Sequence, residues 1–183
     1  YNGVGDMRRE KLPDWLTAAR GIIAAAILGM IPFGPKALSQ VIALLLLGWT
    51  TDMLDGRLAR RYEKPPSWIG EHDFQFDMVM VLASTVYLVA VGFIPWWVGV
   101  PYLALGLPLV LWVHHTREFI QFKAVAMGIA FPWVFVPFVV AYFHARPAAY
   151  AGLIWMVCAL IIDWKRFTGV VGDFLHGSGL ARR

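Results

Sequence analysis

Four aspartates, Asp52, Asp55, Asp73 and Asp77, lie within 26 residues of a chain that is 59% hydrophobic. At 100° per residue from Asp52, Asp55 falls at about −60°, Gly56 at about +40° and Ala59 at about −20°, so all of them share one helix face. Asp73 and Asp77 are four apart and share a face of the following apolar stretch. The short connection through Pro65 and Pro66 makes the two stretches neighbours, which lets the four carboxylates converge.

Two carboxylates about 4 Å apart repel by roughly 4 kcal/mol at an effective dielectric near 20, so four together need a positive partner. In sequence only Arg57, Arg60 and Arg61 are at hand to neutralise them, and a purely structural ion-pair cluster is the lesser expectation. The local donors are oxygens, with no cysteine and only His72 close by, which favours Mg²⁺ or Mn²⁺ over zinc. Four carboxylates on two helices suit two ions, the arrangement that clamps a phosphorus centre during in-line displacement. Gly56 and Ala59 open a groove beside the acids, although small residues alone more often mark close helix packing. Arg60 supplies a donor fork suited to phosphate, so the expected ligand is a pyrophosphate.

The elements that hold these residues follow from composition. The chain has 183 residues, 15% of them charged, and a mean hydropathy of +0.61. A soluble domain of this size needs a surface of roughly a quarter Lys, Arg, Glu and Asp, so the bilayer is the expected solvent. Cys158 has no partner for an intrachain disulfide and reads as a packing residue. The opening YNGVGDMRREKL has no apolar core before a small-residue cleavage site, so no removable signal peptide is expected.

Six stretches are apolar enough to span, at roughly 14–33, 37–61, 73–95, 97–116, 120–144 and 148–167. Pro101, Pro108, Pro132 and Pro137 predict kinks inside the fourth and fifth rather than boundaries. The segments 8–20, 57–64, 117–123 and 165–183 hold fourteen of the sixteen Lys and Arg, and Lys36 and Arg146 fall on the opposite side. That bias predicts cytoplasmic N- and C-termini and a site at the cytoplasmic face. Asp52 lies about 15 residues into its span, on the order of 22 Å at 1.5 Å per residue, just inside that edge. The expected fold is a single all-α integral membrane domain over 1–183. It has six transmembrane helices, a juxtamembrane lead-in at 1–13 and a cytoplasmic tail at 168–183. The net charge of +4 meets anionic lipid headgroups rather than nucleic acid.

Asp52, Asp55, Gly56, Ala59, Arg60, Asp73 and Asp77 resemble the signature of the CDP-alcohol phosphotransferases, DxxDGxxAR followed by G, D and D at fixed spacings. One position departs: Ile69 stands where glycine is expected, and Gly70 follows. LPDWLTAARG at 12–21 is similar to the LPNxLTxxR element of the family's first helix, with Asp14 in place of Asn. The resemblance implies that Asp52, Asp55, Asp73 and Asp77 hold metal, with Asp77 also the general base, and that Gly56, Ala59 and Arg60 line the CDP site. It implies transfer of a substituted phosphate from a CDP-linked lipid to an acceptor alcohol with release of CMP, and a homodimer.

Thr116, Arg117, Glu118 and Phe119 resemble the REF or REI element of phosphatidylglycerolphosphate synthases, and Arg117 with Lys123 can hold a phosphorylated acceptor such as glycerol 3-phosphate. Ordinary positive-inside anchoring accounts for the same two cations equally well. WIGEHDFQFD departs from the sequence usual in those synthases, which leaves another polyol phosphate, inositol phosphate or serine open. Among the five histidines only His72, beside Asp73, is a candidate for chemistry. Trp96 and Trp97 read as an interfacial belt.

Two rival functions fit less well. A polyprenyl transferase using Asp-bound Mg²⁺ needs a second, distant aspartate-rich motif. A cation or proton transporter needs midplane acids and some symmetry between halves, whereas from the fourth apolar stretch to the end of the sixth the acids are Glu118, at a junction, and Asp163.

Overall fold

The computed structural model describes residues 12–61, 67–113, 120–164 and 168–169, and every described element is helical. Helix α1 (Leu12–Gly29) is followed by a 3-10 segment (Ile31–Ala37) and α2 (Leu38–Arg61). A single turn, α3 (Trp68–Glu71), leads into α4 (Asp73–Ala90), then α5 (Trp96–Val113), α6 (Ile120–His144) and α7 (Arg146–Ile162). The six long helices fall on the six expected apolar stretches. The helices α5 and α6 run on through Pro101, Pro108, Pro132 and Pro137, so these prolines are not boundaries. Among the described residues the run Ile31–Leu58 is long and apolar enough to cross a membrane. Gln75–Ala90, Pro132–His144 and Arg146–Ile162 are shorter apolar segments. Most of the lead-in and tail, with His114, His115, Arg117, Glu118 and His176, lies outside the described residues.

A stripe at helical spacing builds the core. The helix α1 contributes Thr17, Arg20, Ala24 and Ile27; α2 contributes Leu38, Val41, Ile42, Leu45 and then Asp55; α4 contributes Met80, Ala83, Tyr87 and Leu88 above Asp73 and Asp77. Each stripe is apolar over most of its length and turns polar at one end, so the charged residues continue the buried face. The expected direct pairing of the two acid-bearing helices is corrected here. Helix α1 packs extensively against both α2 and α4, which touch each other only sparingly. Where they do meet, Gly48 lets α2 approach Met80: a Cβ there would lie 2.3 Å from the Met80 methyl.

The reversal between α1 and α2 is written in IPFGP. Pro32 and Pro35 restrict the backbone, and Gly34 adopts φ 66°, which only glycine takes without strain. Buried Tyr87 donates to the Gly34 carbonyl at 2.9 Å, tying this reversal to α4. Thr50, Thr51, Ser84 and Thr85 return their hydroxyls to carbonyls three or four residues earlier in their own helices. Polar groups buried in a helix away from water are satisfied in this way. Cys158 is exposed on α7, which corrects its reading as a packing residue.

Candidate active site

Asp52 and Asp55 project from the last turns of α2, and Asp73 and Asp77 from the first two turns of α4, directly after the break at His72. The structure brings all four together, and it does so around α1. Arg20, nine residues into that helix, has no exposed side-chain surface. Its Nη1 donates to Asp52 Oδ1 at 3.1 Å and to Asp77 Oδ1, and its Nη2 donates to Asp55 Oδ2 at 2.7 Å and to Asp73 Oδ1. Thr17, one turn earlier, donates to Asp55 Oδ2 at 3.0 Å and accepts from Arg20 Nη2 at 3.2 Å.

Arg20 overturns the expectation that only Arg57, Arg60 and Arg61 are available to the acids. Arg57 instead donates to Asp163 Oδ1 at 2.8 Å, joining α2 to the end of α7. Arg20 is likewise not one of the juxtamembrane charges among which the charge bias counts it. A signal was present: an arginine one turn after Thr17, at the head of the apolar run GIIAAAILG, has to face a polar interior.

Burial grades the acids. Their side chains are 7% exposed for Asp55 and 26% for Asp52, against 39% for Asp73 and 37% for Asp77. The α2 acids form the floor and the α4 acids the open rim. Ligand oxygens of Asp52, Asp55 and Asp73 all lie within 4.8 Å of one another. An octahedral ion held at about 2.1 Å spans about 3 Å between adjacent oxygens and about 4.2 Å between opposite ones, so a small contraction closes this trio on one ion. The all-oxygen donor set suits Mg²⁺ or Mn²⁺, and the residues fit such an ion. Asp77 stands outside the trio.

Gly56 follows Asp55 on α2, as do Ala59 and Arg60, whose side chains are outside what the structure describes. Lys123 belongs to α6, its side chain likewise undescribed, and Arg117 lies outside the described residues. Ile69 and Gly70 fall in the single turn α3, and the backbone leaves helical geometry only at His72. The departure from the expected glycine is therefore absorbed before α4 begins. His72 Nδ1 lies 2.6 Å from the Trp68 carbonyl, with the two rings 4.2 Å apart, so this histidine engages its own turn. Ser67 donates to Asp14 at 2.7 Å, linking the α3 entry to the start of α1.

The sequence model of the CDP-alcohol phosphatidyltransferase family matches residues 10–164, from the start of α1 to just past α7. The chain belongs to that family. No curated protein and no solved structure matches it. A CDP-alcohol phosphatidyltransferase is a membrane-associated phosphotransferase that moves a phosphatidyl-type group from a CDP-alcohol to an acceptor alcohol in phospholipid synthesis. A divalent metal ion is the usual cofactor, and the aspartate trio is able to hold one.

Proposed function

We propose that this phosphatidyltransferase uses CDP-diacylglycerol, or a closely similar CDP-linked lipid, and an acceptor that is glycerol 3-phosphate or another polyol phosphate. The observation that carries the reading is the convergence of Asp52, Asp55, Asp73 and Asp77, at the family's signature spacing, on one open-rimmed cluster. Asp52, Asp55 and Asp73 hold divalent ions, with Asp77 completing the set when two are bound. Such ions, when bound, neutralise the pyrophosphate charge. Gly56 and Ala59 leave room for the CDP moiety, and Arg60 meets a phosphate.

Asp77 is the general base. It stands on the open rim outside the trio, where an acceptor hydroxyl can approach, and its carboxylate takes the hydroxyl proton. The acceptor oxygen bonds to the phosphorus nearer the lipid as the bond from that phosphorus to the bridging oxygen breaks. CMP leaves with the bonding electrons. Arg117 and Lys123 hold the acceptor phosphate.

The domain is a single six-span membrane unit, with both termini and the site on the cytoplasmic side, working as a homodimer. Large apolar side chains exposed on several helices, among them Ile22, Leu47, Leu105, Val139 and Ile154, support a lipid-facing exterior. A rim location lets the nucleotide and acceptor arrive from water while acyl chains stay in lipid. The deciding assay incubates the purified protein with CDP-diacylglycerol, Mg²⁺ and labelled acceptors. Acceptor-dependent CMP release with label in a phosphodiester lipid is expected for glycerol 3-phosphate or a related polyol phosphate. Turnover with serine alone would overturn the acceptor assignment, and no CMP release with any acceptor would overturn the reaction.

A further inference from the structure

We infer that Arg20 is a built-in cation that competes with divalent metal for the same carboxylate oxygens, so that loading the site with metal displaces its guanidinium. The inference rests on the reading of the aspartates as metal ligands. The oxygens Arg20 engages include one from each member of the trio: Asp52 Oδ1, Asp55 Oδ2 and Asp73 Oδ1. A metal ion and a guanidinium cannot both sit against those oxygens without like charges meeting in a buried site.

Arg20 donates to all four carboxylates and so holds the acids together. The guanidinium is itself incompletely matched, because its Nε is buried with no hydrogen-bond partner. Thr17 offers its hydroxyl oxygen to Nη2 from within α1 itself and so remains available to the arginine if the acids are taken up by metal. Arg20 is a positioning residue on this account. It keeps the carboxylates converged before metal arrives and sets how tightly metal is held.

Manganese binding by the full-length purified protein, followed by the EPR signal of free Mn²⁺ without nucleotide, tests this apart from turnover. Arg20→Gln removes the competing charge and is expected to lower the Mn²⁺ Kd at least tenfold. Arg20→Lys, whose single nitrogen cannot meet four carboxylates, is expected to tighten binding by a smaller factor, and it serves alone if the glutamine variant does not fold. An unchanged or weaker Mn²⁺ affinity in the variants, with wild-type protein binding Mn²⁺ normally, overturns the competition. Wild-type protein that binds no Mn²⁺ overturns the metal-ligand reading instead, and the competition falls with it.

Discussion

Helix α2 takes part in two arginine–aspartate meetings only two residues apart, and they differ in almost every physical respect. Asp55 turns inward to Arg20, which is fully enclosed and serves four carboxylates; Arg57 turns outward to a single partner, Asp163, with 40% and 22% of the two side chains exposed. The first arrangement takes Arg20 and Asp55 out of water and must replace their hydration with partners, so removing either one strands the other. The second is open to solvent and gains little. Identical functional groups thus hold together the carboxylates of the candidate active site in one place and brace α2 against α7 in the other.

The largest expected effect tests the inward cluster at its rim. Asp77→Asn keeps shape and hydrogen bonding but cannot take a proton, and general-base catalysis is commonly worth about 10²–10⁴ in rate. CMP release should fall by that order while CDP-lipid binding, measured by equilibrium dialysis in detergent, stays near wild type. Undiminished turnover would remove Asp77 as base. Next in size is Arg20→Gln in chelator, where four carboxylates lose the guanidinium they share. Breaking a buried pair from one side costs about 3–5 kcal/mol, so thermal unfolding should shift markedly down, with Mn²⁺ recovering much of the loss. A variant as stable as wild type in chelator would show that the cluster is better hydrated than its burial implies.

Why the acids were legible in sequence and Arg20 was not comes down to range. Asp52, Asp55, Asp73 and Asp77 are linked by helical periodicity, a local rule, so their faces follow from spacing. Six helices follow from apolar length in the same way. Which helix lies between α2 and α4 is a tertiary fact, and the short link through Pro65 and Pro66 pointed to direct contact where α1 intervenes. Arg20 was therefore grouped with the charges around it, though its position in an apolar helix already argued against a headgroup partner. The Arg57–Asp163 pair spans 106 residues and had no local signal.

The outward side gives smaller predictions. The reversal at Gly34 sets how α1 lies against α2, and hence where Arg20 enters the cluster. Gly34→Ala places a Cβ at φ 66° and should cost about 1–2 kcal/mol by thermal unfolding, with no change in Mn²⁺ affinity if the helices keep their register. A shifted Mn²⁺ affinity would show instead that the reversal positions Arg20.

Arg57→Ala should have the smallest effect. The pair is partly solvated and joins only two side chains, and exposed ion pairs are typically worth about 0.2–1 kcal/mol. Trp155 also donates to Thr50 at 3.0 Å and packs beside Trp49, so α7 keeps a second attachment to α2 when the ion pair is lost. The expected result is a slight drop in unfolding temperature that shrinks further in high salt, with Mn²⁺ affinity unchanged. A loss as large as that of Arg20→Gln would mean that α7 holds the carboxylate end of α2 in place. Asp163, whose second oxygen is buried without a hydrogen-bond partner, would then have to be counted with the inward cluster rather than against it.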